Sequence, residues 1–108
     1  MSQVKDENAI NPSDHAILKR FAVKYVWWKT PDEALRQPER IIAQVMNIGD
    51  YDDVVEMAEK IGEDRLRRVL PHAEIGQFNE RSWAYWHYRL GLAQPEQAVP
   101  ALPKRQLG

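Results

Sequence analysis

Residues 38–71 read PERIIAQVMNIGDYDDVVEMAEKIGEDRLRRVLP, and this stretch decides the fold class. Pro38 fits the first turn of a helix, where its missing N–H costs nothing. Ile41, Ile42, Val45, Met46 and Ile48 then recur at the spacings of one helical face. Gly49 stands where a left-handed C-cap is expected. Asp50 follows as an N-cap, with Asp52 and Asp53 at the positive end of the helix dipole. Val54, Val55, Ala58 and Ile61 form the next apolar face, and Gly62 stops it. Glu63 and Asp64 open another short helix that turns Leu66, Val69 and Leu70 inward until Pro71 breaks it. Three helices therefore fit into 34 residues, with no alternating run of β-branched residues between them.

The same punctuation extends in both directions. Ser13 or Asp14 is placed to cap a first helix whose apolar face is Ile17, Leu18, Phe21, Ala22 and Tyr25. Thr30-Pro31-Asp32-Glu33 begins a short helix that Pro38 must end. On the other side, His72 to Phe78 is a linker around Gly76. Asn79 caps a last helix from about Glu80 to Leu90, with Gly91 as its stop. The expected architecture is all-α: a small compact bundle of five or six short helices in one domain over residues 13–92. Residues 1–12 are polar and read as a flexible arm. Residues 93–108 hold Pro95, Pro100 and Pro103 with several glutamines, and read as a disordered, Pro-rich tail.

Composition narrows the function classes. The chain has 108 residues, 29% charged and 44% hydrophobic, which suits a single globular domain. It has no cysteine, which excludes disulfides, Cys-ligated metals and thiol chemistry and agrees with a reducing, cytoplasmic setting. Fifteen basic residues meet sixteen acidic ones, a weak footing for binding a polyanion. No apolar stretch is long enough to span a membrane, and no membrane partner is expected. His15, His72 and His87 make no ligand-spaced pair, so no metal site and no cofactor are expected. Asp52 and Asp53 are explained by helix capping, and Glu56 and Glu59 by solvation. With no phosphate-cradling loop and no nucleophile elbow, the chain reads as non-catalytic.

Aromatic and basic residues remain as binding candidates. Trp83 and Trp86 share a helix face with Leu90 and read as core. Adjacent Trp27 and Trp28 cannot both point inward, so one is a candidate exposed anchor. With Tyr85, Tyr88 and Arg89 they make a candidate protein-binding patch, because Trp, Tyr and Arg dominate interface hot spots. Arg65, Arg67 and Arg68 would suit a recognition helix, although Glu63 and Asp64 at its start oppose DNA phosphates. Arg81 and Arg89 beside aromatic rings would suit single-stranded nucleic acid. The same arginines read more simply as solvated helix faces with charge pairs at i,i+4 spacing.

The order of motifs resembles a group of small uncharacterised bacterial helical domains. The resemblance lies in Tyr25-Val26-Trp27-Trp28, in Pro38 to Met46, in Gly49-Asp50-Tyr51-Asp52-Asp53-Val54, in Ile61 to Leu70 and in Ser82-Trp83-Ala84-Tyr85-Trp86. It covers about residues 25–92. Two features depart from the group: Val26-Trp27-Trp28 replaces Phe-Trp followed by an acid, and Ile75-Gly76-Gln77-Phe78 lengthens the linker. Members of the group often occur beside nucleotidyltransferase-like toxins of the abortive-infection type. The resemblance thus implies a toxin-associated, antitoxin-like interaction module whose partner is another protein. The alternatives are a small nucleic-acid-binding transcriptional regulator and a structural domain whose aromatics are all core.

Overall fold

In the computed structural model, backbone is described for residues 12–103 and side chains for 14–103. The described residues form six α-helices and no strand: α1 (Pro12–Tyr25), α2 (Pro31–Leu35), α3 (Pro38–Ile48), α4 (Tyr51–Lys60), α5 (Glu63–Val69) and α6 (Glu80–Arg89), with a 3₁₀ turn at Leu70–His72. The first helix begins at Pro12, ahead of both expected caps, Ser13 and Asp14. The expected flexible arm otherwise lies outside the described residues.

Three of the expected caps form. Thr30 Oγ1 accepts the Glu33 N–H, Asp50 Oδ1 accepts the Asp53 N–H, and Asn79 Oδ1 accepts the Ser82 N–H, at 3.2, 3.1 and 2.8 Å. Each satisfies a backbone donor that a helix start leaves open. Gly91 ends α6 in the left-handed region at φ 73°. The Gly91 and Leu92 N–H groups reach back to the Tyr88 and His87 carbonyls, the Schellman pattern. Gly49 differs from expectation. Its φ is −62°, so it is not left-handed. Glycine is needed there for closeness: a Cβ would stand 2.4 Å from the Val45 carbonyl oxygen and 2.8 Å from Val45 Cγ1.

The core is centred on α3, which buries Ile41, Ile42, Ala43, Val45 and Met46. Around it sit Ile17, Leu18, Phe21, Ala22 and Tyr25 of α1, Leu66 and Val69 of α5, and Trp83 and Trp86 of α6. Trp86 is 1% exposed. Its indole N–H donates to the Met46 carbonyl at 2.7 Å, while Ser82 Oγ donates to the Asn47 carbonyl at 2.7 Å. Helix α6 thereby caps the C-terminal end of α3, whose last carbonyls have no partner within the helix.

Two expectations about the core need correction. Ile48 is exposed: it is the last residue of α3, at the junction with α4, and does not join the buried cluster. Val54, Val55, Ala58 and Ile61 are only half-buried, and the fully buried residue of α4 is Met57. This helix lies shallowly, tied to α1 by charge: Arg20 pairs with Glu56, and Lys24 with Asp50 and Asp53.

The tail also departs from expectation as far as it is described. Residues 93–103 lie against α6. Trp83 Nε1 donates to the Pro100 carbonyl and Tyr88 Oη to the Gln97 carbonyl, both at 2.7 Å. Ala93 is buried, and Val99 and Leu102 pack against the core. A buried indole N–H needs an acceptor, and prolines leave less chain entropy to lose on ordering. Residues 104–108 lie outside the described residues.

Candidate functional site

The exposed aromatics fall on two separate surfaces. Trp27 and Trp28 follow α1 in a tight turn that begins where the Val26 N–H still reaches the Ala22 carbonyl. Tyr25 and Val26 take the buried positions, so both indoles face outward. Trp27 is 76% exposed and Trp28 56%, their rings edge to face with centroids 5.7 Å apart. Trp28 forms one wall of a cavity of about 230 Å³ with Lys29, Gln37, Arg40, Gln44 and Ile75. Its rim is held by Arg40, whose Nη2 donates to both Glu74 carboxylate oxygens at 3.0 and 3.1 Å.

The second surface is a groove of about 760 Å³ between the α3–α4 junction and α6. Ile48, Tyr51, Val54 and Val55 line one side, and Arg81, Tyr85 and Arg89 the other. Tyr85 is edge-on to Trp86, with centroids 5.2 Å apart. The Arg89 guanidinium lies 5.0 Å from the Trp86 ring centroid and donates to Tyr85 Oη at 3.0 Å. Its contact with Glu63 is long, at 3.8 Å.

The five residues of the candidate protein-binding patch are therefore not one patch. Trp28 borders the cavity, and Trp27 stands edge to face against it, outside the lining. Tyr85 and Arg89 border the groove. Tyr88 is turned to Gln97 of the tail segment. Pairwise spacing places residues on one helix face, but it says nothing about where two distant helices meet.

The arginines of α5 are also dispersed. Arg65 is buried and donates to Glu39 Oε1 at 2.9 Å. Arg67 donates to the Leu90 carbonyl at 2.8 Å and to Asp64 Oδ1 at 2.6 Å. Arg68 points outward from the same helix. Two of the three candidate recognition residues thus hold the fold together. Of the histidines, His15 and His72 are exposed. His87 is buried, its Nδ1–H donating to the Trp83 carbonyl at 2.7 Å. No group of three or more His, Asp or Glu among the described residues is arranged to hold a metal ion. Among them, too, no helix is long and apolar enough to cross a membrane.

The most connected charge cluster is structural. Tyr25 Oη accepts the Asp50 N–H at 3.1 Å and donates to Asp53 Oδ2 at 2.5 Å. Lys24 Nζ donates to Asp50 at 2.6 Å and to Asp53 at 2.8 Å. The hydrogen bond from Lys24 holds the Asp50 carboxyl below its ordinary value. Asp50 and Asp53 raise Lys24 well above its own. Burial, then the bond to Asp53, raises Tyr25.

No family model, curated protein or solved structure matches this chain.

Proposed function

We propose that this chain is a non-catalytic bacterial protein-interaction module. The observation that carries the reading is the outward pair Trp27 and Trp28, 76% and 56% exposed, with Trp28 lining a ready cavity. Indoles are large apolar surfaces and among the commonest hot-spot residues. Neither belongs to the core of the domain, which is completed by Trp83 and Trp86. The resemblance of its motifs to toxin-associated helical domains supplies a partner class, a nucleotidyltransferase-like toxin, and a cytoplasmic setting. In that role the module would cover its target or hold it inactive.

The test is co-purification from the native host with a nuclease-treated control. The wild-type chain should retain one stoichiometric protein after nuclease, and the Trp27→Ala/Trp28→Ala variant should lose it. Recovery of nucleic acid alone, released by nuclease or salt, would overturn the reading.

A further inference from the structure

We infer that the groove between the α3–α4 junction and α6 docks an acidic segment of a partner protein that carries aromatic or aliphatic side chains. The inference rests on the interaction-module reading and names the chemistry of a second contact surface.

Three observations converge on it. The first is an uncovered apolar wall. Ile48, Val54 and Val55 belong to the helical patterns that a core normally hides, yet all three line the groove, Ile48 54% exposed and both valines only partly buried, with Val54 also touching the core. Tyr51, 73% exposed, extends that wall. The second is the charge of the opposite rim. Arg81 and Arg89 stand at either end of the α6 side, two turns apart, and the groove lining contains no carboxylate. Arg81 is exposed, with no ion pair among the described residues. The third is rigidity. The groove floor is Met46 and Trp86, locked by the indole-to-carbonyl bond, so the site exists before any partner arrives.

An apolar trough flanked by two guanidiniums matches a peptide whose apolar residues alternate with Asp or Glu. A nucleic acid fits less well. Its bases would meet Tyr51 and Tyr85, but its continuous backbone of phosphates would find only two guanidiniums in the groove lining, where a short acidic segment needs no more.

The experiment is a titration of the isotopically labelled full chain followed by amide NMR shifts. The probe is a capped nonapeptide in which Phe and Leu alternate with Asp and Glu, compared with a counterpart carrying Lys at every acidic position and with an oligothymidylate. The expected result is that the acidic peptide shifts Ile48, Tyr51, Arg81 and Tyr85. Added salt and Arg81→Glu should each weaken binding, the substitution by about tenfold, and Tyr51→Ala should weaken it independently of salt. Both side chains are exposed, so both variants should keep the wild-type spectrum elsewhere. Four outcomes overturn the inference: no groove shifts at saturating peptide, equal binding of the lysine counterpart, shifts centred on Trp27 and Trp28, or a preference for the oligothymidylate. Self-association through the groove, seen in sedimentation of the free chain, would also overturn it. If the native partner co-purifies but the acidic peptide avoids the groove, this inference falls alone. If no protein partner is recovered either, both readings fall.

Discussion

The Trp86 indole N–H and the Met46 carbonyl, 2.7 Å apart and 40 residues apart in sequence, join the last helix to the end of the central one. The bond sits in a dry part of the core, where an unpaired carbonyl is costly. Trp86→Phe keeps most of the ring and removes the donor. It should lower stability by about 1–3 kcal/mol, the cost of leaving a buried polar group unmade. Urea unfolding followed by circular dichroism would measure it. A change below about 0.5 kcal/mol would mean that water reaches Met46.

Trp83 and the outward pair make a contrasting set. Trp83→Ala should cost roughly 3–5 kcal/mol, as buried aromatics do. Trp27→Ala and Trp28→Ala should each change stability by no more than about 0.5 kcal/mol, as surface substitutions do. The same unfolding assay tests all three, and a large loss at Trp27 would contradict its placement.

Stability should depend on pH at both ends of the scale. Asp50 is held below its ordinary value chiefly by Lys24, and Glu56 chiefly by Lys60. The stability they add is fully present above the ordinary carboxylate range and is lost as pH falls through the lowered values. Lys24 is raised chiefly by Asp50, and Tyr25 chiefly by burial. Their contribution is fully present below about pH 10 and is lost as pH rises through the raised values. The thermal midpoint should therefore be flat near neutrality and fall on both sides. Tyr25→Phe should lower the plateau and weaken the alkaline fall; an unchanged alkaline limb would remove Tyr25 from the account.

Gly49→Ala should destabilise even though the backbone there is ordinary. The added methyl would meet the Val45 carbonyl oxygen, which is held in the α3 ladder, and Val54 Cγ2 at 3.1 Å. Overpacking of this kind costs about 1–3 kcal/mol. A thermal midpoint equal to wild type would show that the α3–α4 junction can open without penalty.

Removing residues 95–108 should leave a folded domain with altered Trp83 emission. The Trp83 N–H would exchange the Pro100 carbonyl for water. A red-shifted spectrum with unchanged far-ultraviolet dichroism is the expected result. An unshifted spectrum would mean that the segment does not shield the ring.

Local chemistry made much of this architecture legible in the sequence. Thr30, Asp50 and Asn79 are caps because their short side chains reach backbone donors two or three residues ahead, and a reader needs only the next few letters to see it. The buried faces of α1 and α3 follow from 3.6-residue spacing in the same way. Spacing could not show that α4 rides high on the bundle, because depth is set by how the helix settles on its neighbours α3 and α5. For the same reason Val54 and Val55 read as core when they line a groove. Proline content hid the tail segment, whose order comes from the distant Trp83 and Tyr88. The sequence signal for that order is the indole N–H of Trp83, a donor whose acceptor lies 17 residues away.

The dependence of α3 on α6 has a consequence for synthesis. Until Ser82 and Trp86 have left the ribosome, the Met46 and Asn47 carbonyls have no side chain to meet them, and the slot that Trp86 fills stands open. The emerging chain must therefore pass most of its translation as a loose set of short helices, individually too brief to persist in water. Proteases and chaperones would meet that species until the sixth helix arrives to close the slot.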